Sequence, residues 1–176
     1  QGYLRSLPRP LLGAVDETAV EQAVCLAAQS LEQLGRPWVL EVSHMGYLFG
    51  LFDALGVPET ARPGLLAALR AKNIHELRAA AAAAGLEGTG ADALTALLEL
   101  SGDYAAVLPK AEALCRNTRM REAAAELRTL AAPLAQAGGT ARLDLTLAGE
   151  MEYYNGLVFQ GYLRSLPRPL LGAVDE

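Results

Sequence analysis

The sequence predicts an α+β fold in which strands are separated by a helical insertion. Three observations carry that prediction. Alanine and leucine dominate a chain that is 52% hydrophobic, so helix is the default local conformation. Apolar residues in the first part of the chain recur at the spacing of a helix turn. After Gly138-Gly139 the period drops to two: Leu143, Leu145 and Leu147 point one way while Arg142, Asp144 and Thr146 point the other, as in a strand with one core face and one polar face.

The elements follow in order. Val20, Val24, Ala27/Ala28, Leu31 and Leu34 mark an amphipathic helix, with Asp16 as N-cap and Gly35 as stop. Pro37 confines the next run to a strand, in which Trp38, Leu40 and Val42 alternate with Val39, Glu41 and Ser43. Ser43 is placed to cap a following helix that carries Leu48, Leu51, Phe52 and Leu55 to Gly56. Residues 57–139 read as an all-helical insertion of short Ala/Leu helices, punctuated by Pro63, Asn73, Gly85, Gly88, Gly102, Pro109, Thr118 and the double glycine. Its Ala79 to Ala84 run is a helix face without chemistry. A turn at Ala148-Gly149 leads to a second strand, Met151 to Leu163, rich in Tyr, Val, Leu and Phe. The SLPRPLL that follows holds two prolines and leaves the ladder.

The ends carry an anomaly. Residues 1–17 spell QGYLRSLPRPLLGAVDE, and residues 160–176 spell the same seventeen letters. Repeat proteins diverge between copies and stack units of about 20 to 50 residues, whereas this copy is perfect and confined to the ends. It reads as a frame taken from a tandem or circularised template, so that the end of the chain overlaps its beginning. The two copies are expected to differ in conformation, since 160–163 continues a strand and 1–4 has none to extend.

Composition excludes several classes. A net charge of −5 with no dense Lys/Arg cluster argues against nucleic-acid binding, which draws its affinity from clustered cations. No apolar run of membrane-spanning length occurs and the N-terminus is no signal peptide, so a cytoplasmic protein without membrane contact is expected. Cys25 and Cys115 read as buried small hydrophobes on helices. His44, at a strand-to-helix junction, and His75 have no partner at metal-ligand spacing, so His44 reads as a capping or packing residue. No phosphate loop, zinc spacing or nucleophile elbow is present. No metal, cofactor or catalytic residue is therefore assigned.

The concentrated polar signal is EMEYYNG, 150–156. Adjacent Tyr153 and Tyr154 put their rings on opposite faces of a strand, so one packs inward while the other offers a hydroxyl and an aromatic wall to a ligand. Which of the two does so stays open. Gly156 removes a side chain where a ligand or another backbone approaches. On spacing alone, the same residues also describe an ordinary aromatic strand with a bulge at Asn155-Gly156.

LDLTLAGEMEYYNGLVFQGYL resembles the histidine-recognition segment of histidyl-tRNA synthetases, and more closely its counterpart in the regulatory subunit of ATP phosphoribosyltransferase. The YYNG-x-VFQG wording favours the second. EVSHMGYLFGLFDALG, 41–56, resembles the strand and helix ahead of the helical insertion in that regulatory subunit, and the likeness covers roughly Gly13 to Leu171. It implies part of a class II aminoacyl-tRNA synthetase-like antiparallel sheet flanked by helices, with residues 13–56 and 140–171 as the synthetase-like pieces, 57–139 as the insertion, and 1–12 and 172–176 as duplicates out of family context. It further implies a non-catalytic subunit that activates a short-form catalytic subunit, responds to histidine as effector, and is a homo-oligomer at full length. Tyr153, Tyr154 and Gly156 would be histidine-binding. Synthetases place an arginine just before their Gly-Leu-Asp-Tyr-Tyr run, where it stabilises the forming adenylate; Gly149 stands there, and a missing donor of that kind costs orders of magnitude in rate. The alternative implied by the resemblance is a fragment of a divergent histidyl-tRNA synthetase catalytic domain.

Overall fold

A computed structural model describes residues 17–147, 156–164 and 171–174. Within them lie helices α1 (Glu17–Glu32), α2 (Met45–Ala54), α3 (Arg62–Arg70), α4 (Ile74–Ala83), α5 (Thr89–Leu97), α6 (Tyr104–Ala113) and α7 (Thr118–Gln136). The strands are β1 (Trp38–His44), β2 (Ser101–Asp103), β3 (Thr140–Asp144), β4 (Leu157–Leu163) and β5 (Leu171–Val174). They form one sheet in the order β2-β3-β1-β4-β5. The expected α+β architecture is what the chain adopts.

The central strand is β1. It runs antiparallel to β4, with Trp38 opposite Leu163 and His44 opposite Leu157, and parallel to β3, with Val39 opposite Thr140. The β2–β3 and β4–β5 pairings are antiparallel. The single parallel pairing departs from the antiparallel sheet expected, and its cause is the insertion: parallel neighbours need a long crossover, which residues 57–139 supply.

Alternation along β1 sends Trp38, Leu40 and Val42 into the core, where α1 packs on β1 and β4 and also touches α7. Gly161 permits the contact with α1, since a Cβ there would sit 2.7 Å from Leu31. Gly35 ends the first helix as expected, with φ +60°. The expected N-cap, Asp16, lies outside the described residues. The double glycine passes over Trp38: a Cβ on Gly139 would lie 2.2 Å from the indole, and one on Gly138 would meet the Glu32 carboxylate at 2.7 Å. Trp38 Nε1–H donates to that carboxylate at 2.6 Å.

Several expectations change against the structure. Ser43 does not cap α2; His44 does, its Nδ1 accepting the Gly46 amide at 3.1 Å. The insertion is not all helical, because Ser101–Asp103 leaves it to become the edge strand β2. Pro109 does not punctuate; it lies inside α6, where the bond it forfeits is offset by burial of Val107, Leu108 and Ala111. Cys25 and Cys115 are free and only half-buried, and Cys115 follows α6. The strand expected from Met151 begins at Leu157 among the described residues; 151–155, the turn at 148–149 and most of SLPRPLL lie outside them. The duplicated GAV of the C-terminal copy pairs in β5, while the N-terminal copy lies outside except for Glu17, so the comparison between copies stays open.

Asp144 and Thr146, assigned to a polar face, are 3% and 1% exposed. The insertion folds over them. Lys72, in the turn after α3 with φ 50°, brings its ammonium to Asp144. Ser101 donates to the same carboxylate at 3.0 Å, and the Thr146 amide and hydroxyl donate at 3.0 and 2.6 Å. Burial acts to raise the Asp144 pKa, but the bonds from Lys72 and Thr146 outweigh it and hold the carboxyl below its usual range.

Two outcomes follow from this packing. Gly139→Ala forces a methyl into the indole ring and should cost about 1 to 3 kcal/mol in urea unfolding, more than Gly138→Ala, whose obstacle is a movable carboxylate. Because the folded pKa of Asp144 is depressed, its stabilisation is fully present above the unfolded value of about 4 and is lost as pH falls through the lower folded value. Asp144→Asn should therefore lower stability at pH 7 and flatten its decline between about pH 5 and 2, measured by denaturant unfolding across pH.

Candidate functional site

The face of the sheet turned away from α1 carries a row of polar side chains on three adjacent strands. Glu41 on β1 stands opposite Arg142 on β3 and Gln160 on β4. Its carboxylate lies 3.4 Å from Arg142 Nε and accepts from Gln160 Nε2 at 3.2 Å. Tyr162, two residues beyond Gln160 and so on the same face, lies near enough to feel the Glu41 carboxylate. Burial first, then the neighbouring Glu41 carboxylate, push the Tyr162 hydroxyl up to about 12. At the lower end of the face Arg164 donates to Thr140 Oγ1 at 3.1 Å. The row brings a carboxylate, a guanidinium, an amide and a phenol together around Glu41, a group suited to holding a polar molecule.

Gly156 stands at the start of β4, where its carbonyl accepts the Met45 amide at 2.9 Å. It therefore adjoins the β1–α2 junction. Tyr153 and Tyr154, the other two residues assigned to a histidine pocket, lie outside the described residues. At the junction His44 is 4% exposed. Its Nδ1 accepts from Gly46, which leaves Nε2 to carry the ring proton and donate to Glu126 on α7 at 2.8 Å. That hydrogen bond holds the Glu126 carboxyl below its ordinary range against the opposing effect of burial. The capping and packing role read for His44 is thus what the geometry displays.

Glu41, Arg142, Gln160 and Tyr162 were not singled out by motif. A signal existed in the alternation: Glu41 interrupts an apolar strand, and Gln160 and Tyr162 are two apart in another. Only the register brings them together. Among the described residues no group of three or more His, Cys, Asp or Glu side chains is arranged to hold a metal. A groove of about 730 Å³ lies between α1 and the end of α7, lined by Glu21, Cys25, Trp38 and Pro133 among others, away from this polar row.

Comparison with known proteins places the chain. The family described as histidyl-tRNA synthetase matches residues 11–173. The chain belongs to the histidyl-tRNA synthetase family. It is 31% identical over 167 residues to the ATP phosphoribosyltransferase regulatory subunit of Symbiobacterium thermophilum, covering 92% of this chain and 41% of that protein. With the protein of the same name from Thermus thermophilus it shares 33% identity over 162 residues, 92% of this chain and 44% of that one. Its fold is similar to a solved ATP phosphoribosyltransferase regulatory subunit/histidyl-tRNA synthetase from Bacillus halodurans, with TM-score 0.76 and 29% identity over 90% of this chain and 42% of that chain. The resemblance read from the two sequence segments is borne out, and the chain spans less than half the length of these relatives.

Within this synthetase-like sheet the Glu41–Tyr162 contact is open to direct measurement. Tyr162 should ionise near pH 12 in a phenolate absorbance titration. Glu41→Gln removes a negative charge and should bring that ionisation down towards the ordinary tyrosine value of about 10, stopping short of it because burial remains.

Proposed function

We propose that this chain is part of a regulatory subunit of ATP phosphoribosyltransferase. At full length the protein would bind and activate a short-form catalytic subunit, respond to histidine as effector, assemble as a homo-oligomer, and charge no tRNA. The name shared by the curated relatives supports the partner and the regulatory role. The observation that carries the non-catalytic reading is Gly149, which stands where synthetases keep an arginine for the adenylate; without a cation there, the forming charge has no counterpart.

Tyr153, Tyr154 and Gly156 form the histidine-recognition wall in this reading, and the Glu41, Arg142, Gln160 and Tyr162 row extends the polar surface on the neighbouring strands. An α-amino acid carries one cation and one anion beside its side chain, and the row offers a carboxylate and a guanidinium at matching scale. A second reading, a fragment of a divergent histidyl-tRNA synthetase, is favoured by the family description itself.

Histidine-dependent ATP–pyrophosphate exchange separates the two. The regulatory reading expects exchange at background for the full-length protein, alone and with the catalytic subunit; robust exchange would overturn it. Calorimetric titration of histidine into the full-length complex tests the wall. Tyr→Phe at the ligand-facing position should weaken binding by about 0.5 to 1.5 kcal/mol, and Gly156→Val should weaken it more, by filling the space of the approaching ligand. If Gly156→Val and both Tyr→Phe variants fold normally and bind histidine like wild type, the strand is only scaffold.

A further inference from the structure

We propose that His44 is a positioning residue that couples helix α7 of the insertion to the start of β4, so that the ligand strand and the insertion move as one unit. The inference deepens the reading above, on which it rests for the identity of the ligand. Its basis is an unbroken chain of contacts. Glu126 Oε2 on α7 accepts the His44 Nε2 proton at 2.8 Å. His44 Nδ1 accepts the Gly46 amide at 3.1 Å and so fixes the first turn of α2. The preceding amide in that turn, Met45 N–H, donates to the Gly156 carbonyl at 2.9 Å. His44 is also paired by register with Leu157. The imidazole thus joins α7 to the first turn of α2, and the backbone of His44 and Met45 holds the start of β4.

The arrangement is specific to histidine. A helix N-cap needs only one acceptor, and Asn, Asp or Ser supplies it with a shorter side chain. Here the cap must also present a donor on the far side of the ring, about two bonds further out, to reach α7. An imidazole with one acceptor and one donor nitrogen does both across the width of a rigid ring. The 5% exposure of the His44 side chain keeps water from replacing either contact, whereas the Glu126 side chain is 41% exposed and can be changed without opening the core. A partner that shifted α7 would change the setting of Gly156, and a ligand seated against β4 would bias α7 in return, as linkage requires.

Five variants of the full-length protein, four single and one double, separate this role from simple packing. His44→Asn keeps an N-cap acceptor but loses the reach to α7; Glu126→Ala loses the acceptor on α7; His44→Ala loses both contacts; Glu126→Gln keeps a carbonyl oxygen to accept the Nε2 proton. Amide hydrogen exchange is followed in peptides covering 156–160, with thermal unfolding as the check on folding. His44→Asn and Glu126→Ala should speed exchange at 156–160 by about fivefold to tenfold, the scale of one lost hydrogen bond. Glu126→Gln should restore exchange to within about twofold of wild type, on the same scale. The double variant His44→Asn/Glu126→Ala should add nothing to either single change.

Unchanged exchange at 156–160 in folded Glu126→Ala and His44→Asn would overturn the proposal and leave the pair as α2–α7 packing. Additive effects in the double variant would overturn it as well. Histidine titration on the same samples reads the ligand separately. A wild type that binds no histidine defeats the function proposed above, while the exchange data still decide the coupling.

Discussion

Strand β1 is hydrogen-bonded along both edges, parallel to β3 on one side and antiparallel to β4 on the other. With both edges used, its backbone has no remaining freedom to slip, because a shift of one residue would exchange its two faces. Trp38, Leu40 and Val42 would then leave the helices, and Glu41 would be driven into them without partners, at the cost of an unpaired buried charge. The core beneath α1 and the polar row above it are therefore two sides of a single register. Everything else described is arranged around that strand: α2 continues from its end, α1 leads to its start, and the insertion departs and returns beside it.

What was legible in the sequence is what depends on neighbours along the chain. The first helix, its glycine stop, β1 and the change of period after the double glycine all follow local patterns, and Gly35 at φ +60° is the kind of residue whose type alone states its conformation. What was not legible depends on distant partners. Ser101–Asp103 is too short to show a strand pattern, and it becomes one only because the edge of β3 is there to pair with. Asp144 looked solvated until Lys72, which lies 72 positions earlier, was folded against it. The candidate site divides in the same way. Gly156 was visible within its motif, while the row of Glu41, Arg142, Gln160 and Tyr162 exists only through register.

Residues 57–139 are fastened to α2 and to the sheet at separate points with different chemistry. Asn117 caps α7 by accepting the Met120 amide at 2.9 Å and donates its own amide to the Gly50 carbonyl of α2 at 2.7 Å. Gly50 is needed there, since a Cβ would lie 2.8 Å from Met120 Cγ. Asp53 at the end of α2 receives Arg62 at 2.8 Å and Arg119 at 2.6 Å, and both guanidinium groups lie within 6 Å of the Phe49 ring, a cation–π range. The exposed charge pairs add little individually. The buried Asp144 cluster and the α2–α7 packing are the contacts shielded from water.

The parallel pairing of β1 with β3 has a consequence for how such a chain varies over time. Val39 meets Thr140, so roughly 100 residues must be closed into a loop before that ladder forms, at an entropic cost of about 4 kcal/mol by the logarithmic scaling of loop closure. The logarithm makes the cost nearly indifferent to size: doubling the excursion adds only about 0.6 kcal/mol. The sheet thus fixes where the excursion leaves and returns, and chain entropy alone sets little limit on its length. Descendants can lengthen or trim the α4–α5 stretch while keeping the same central strand, provided that Lys72 still reaches Asp144 and the short glycine crossing over Trp38 is preserved.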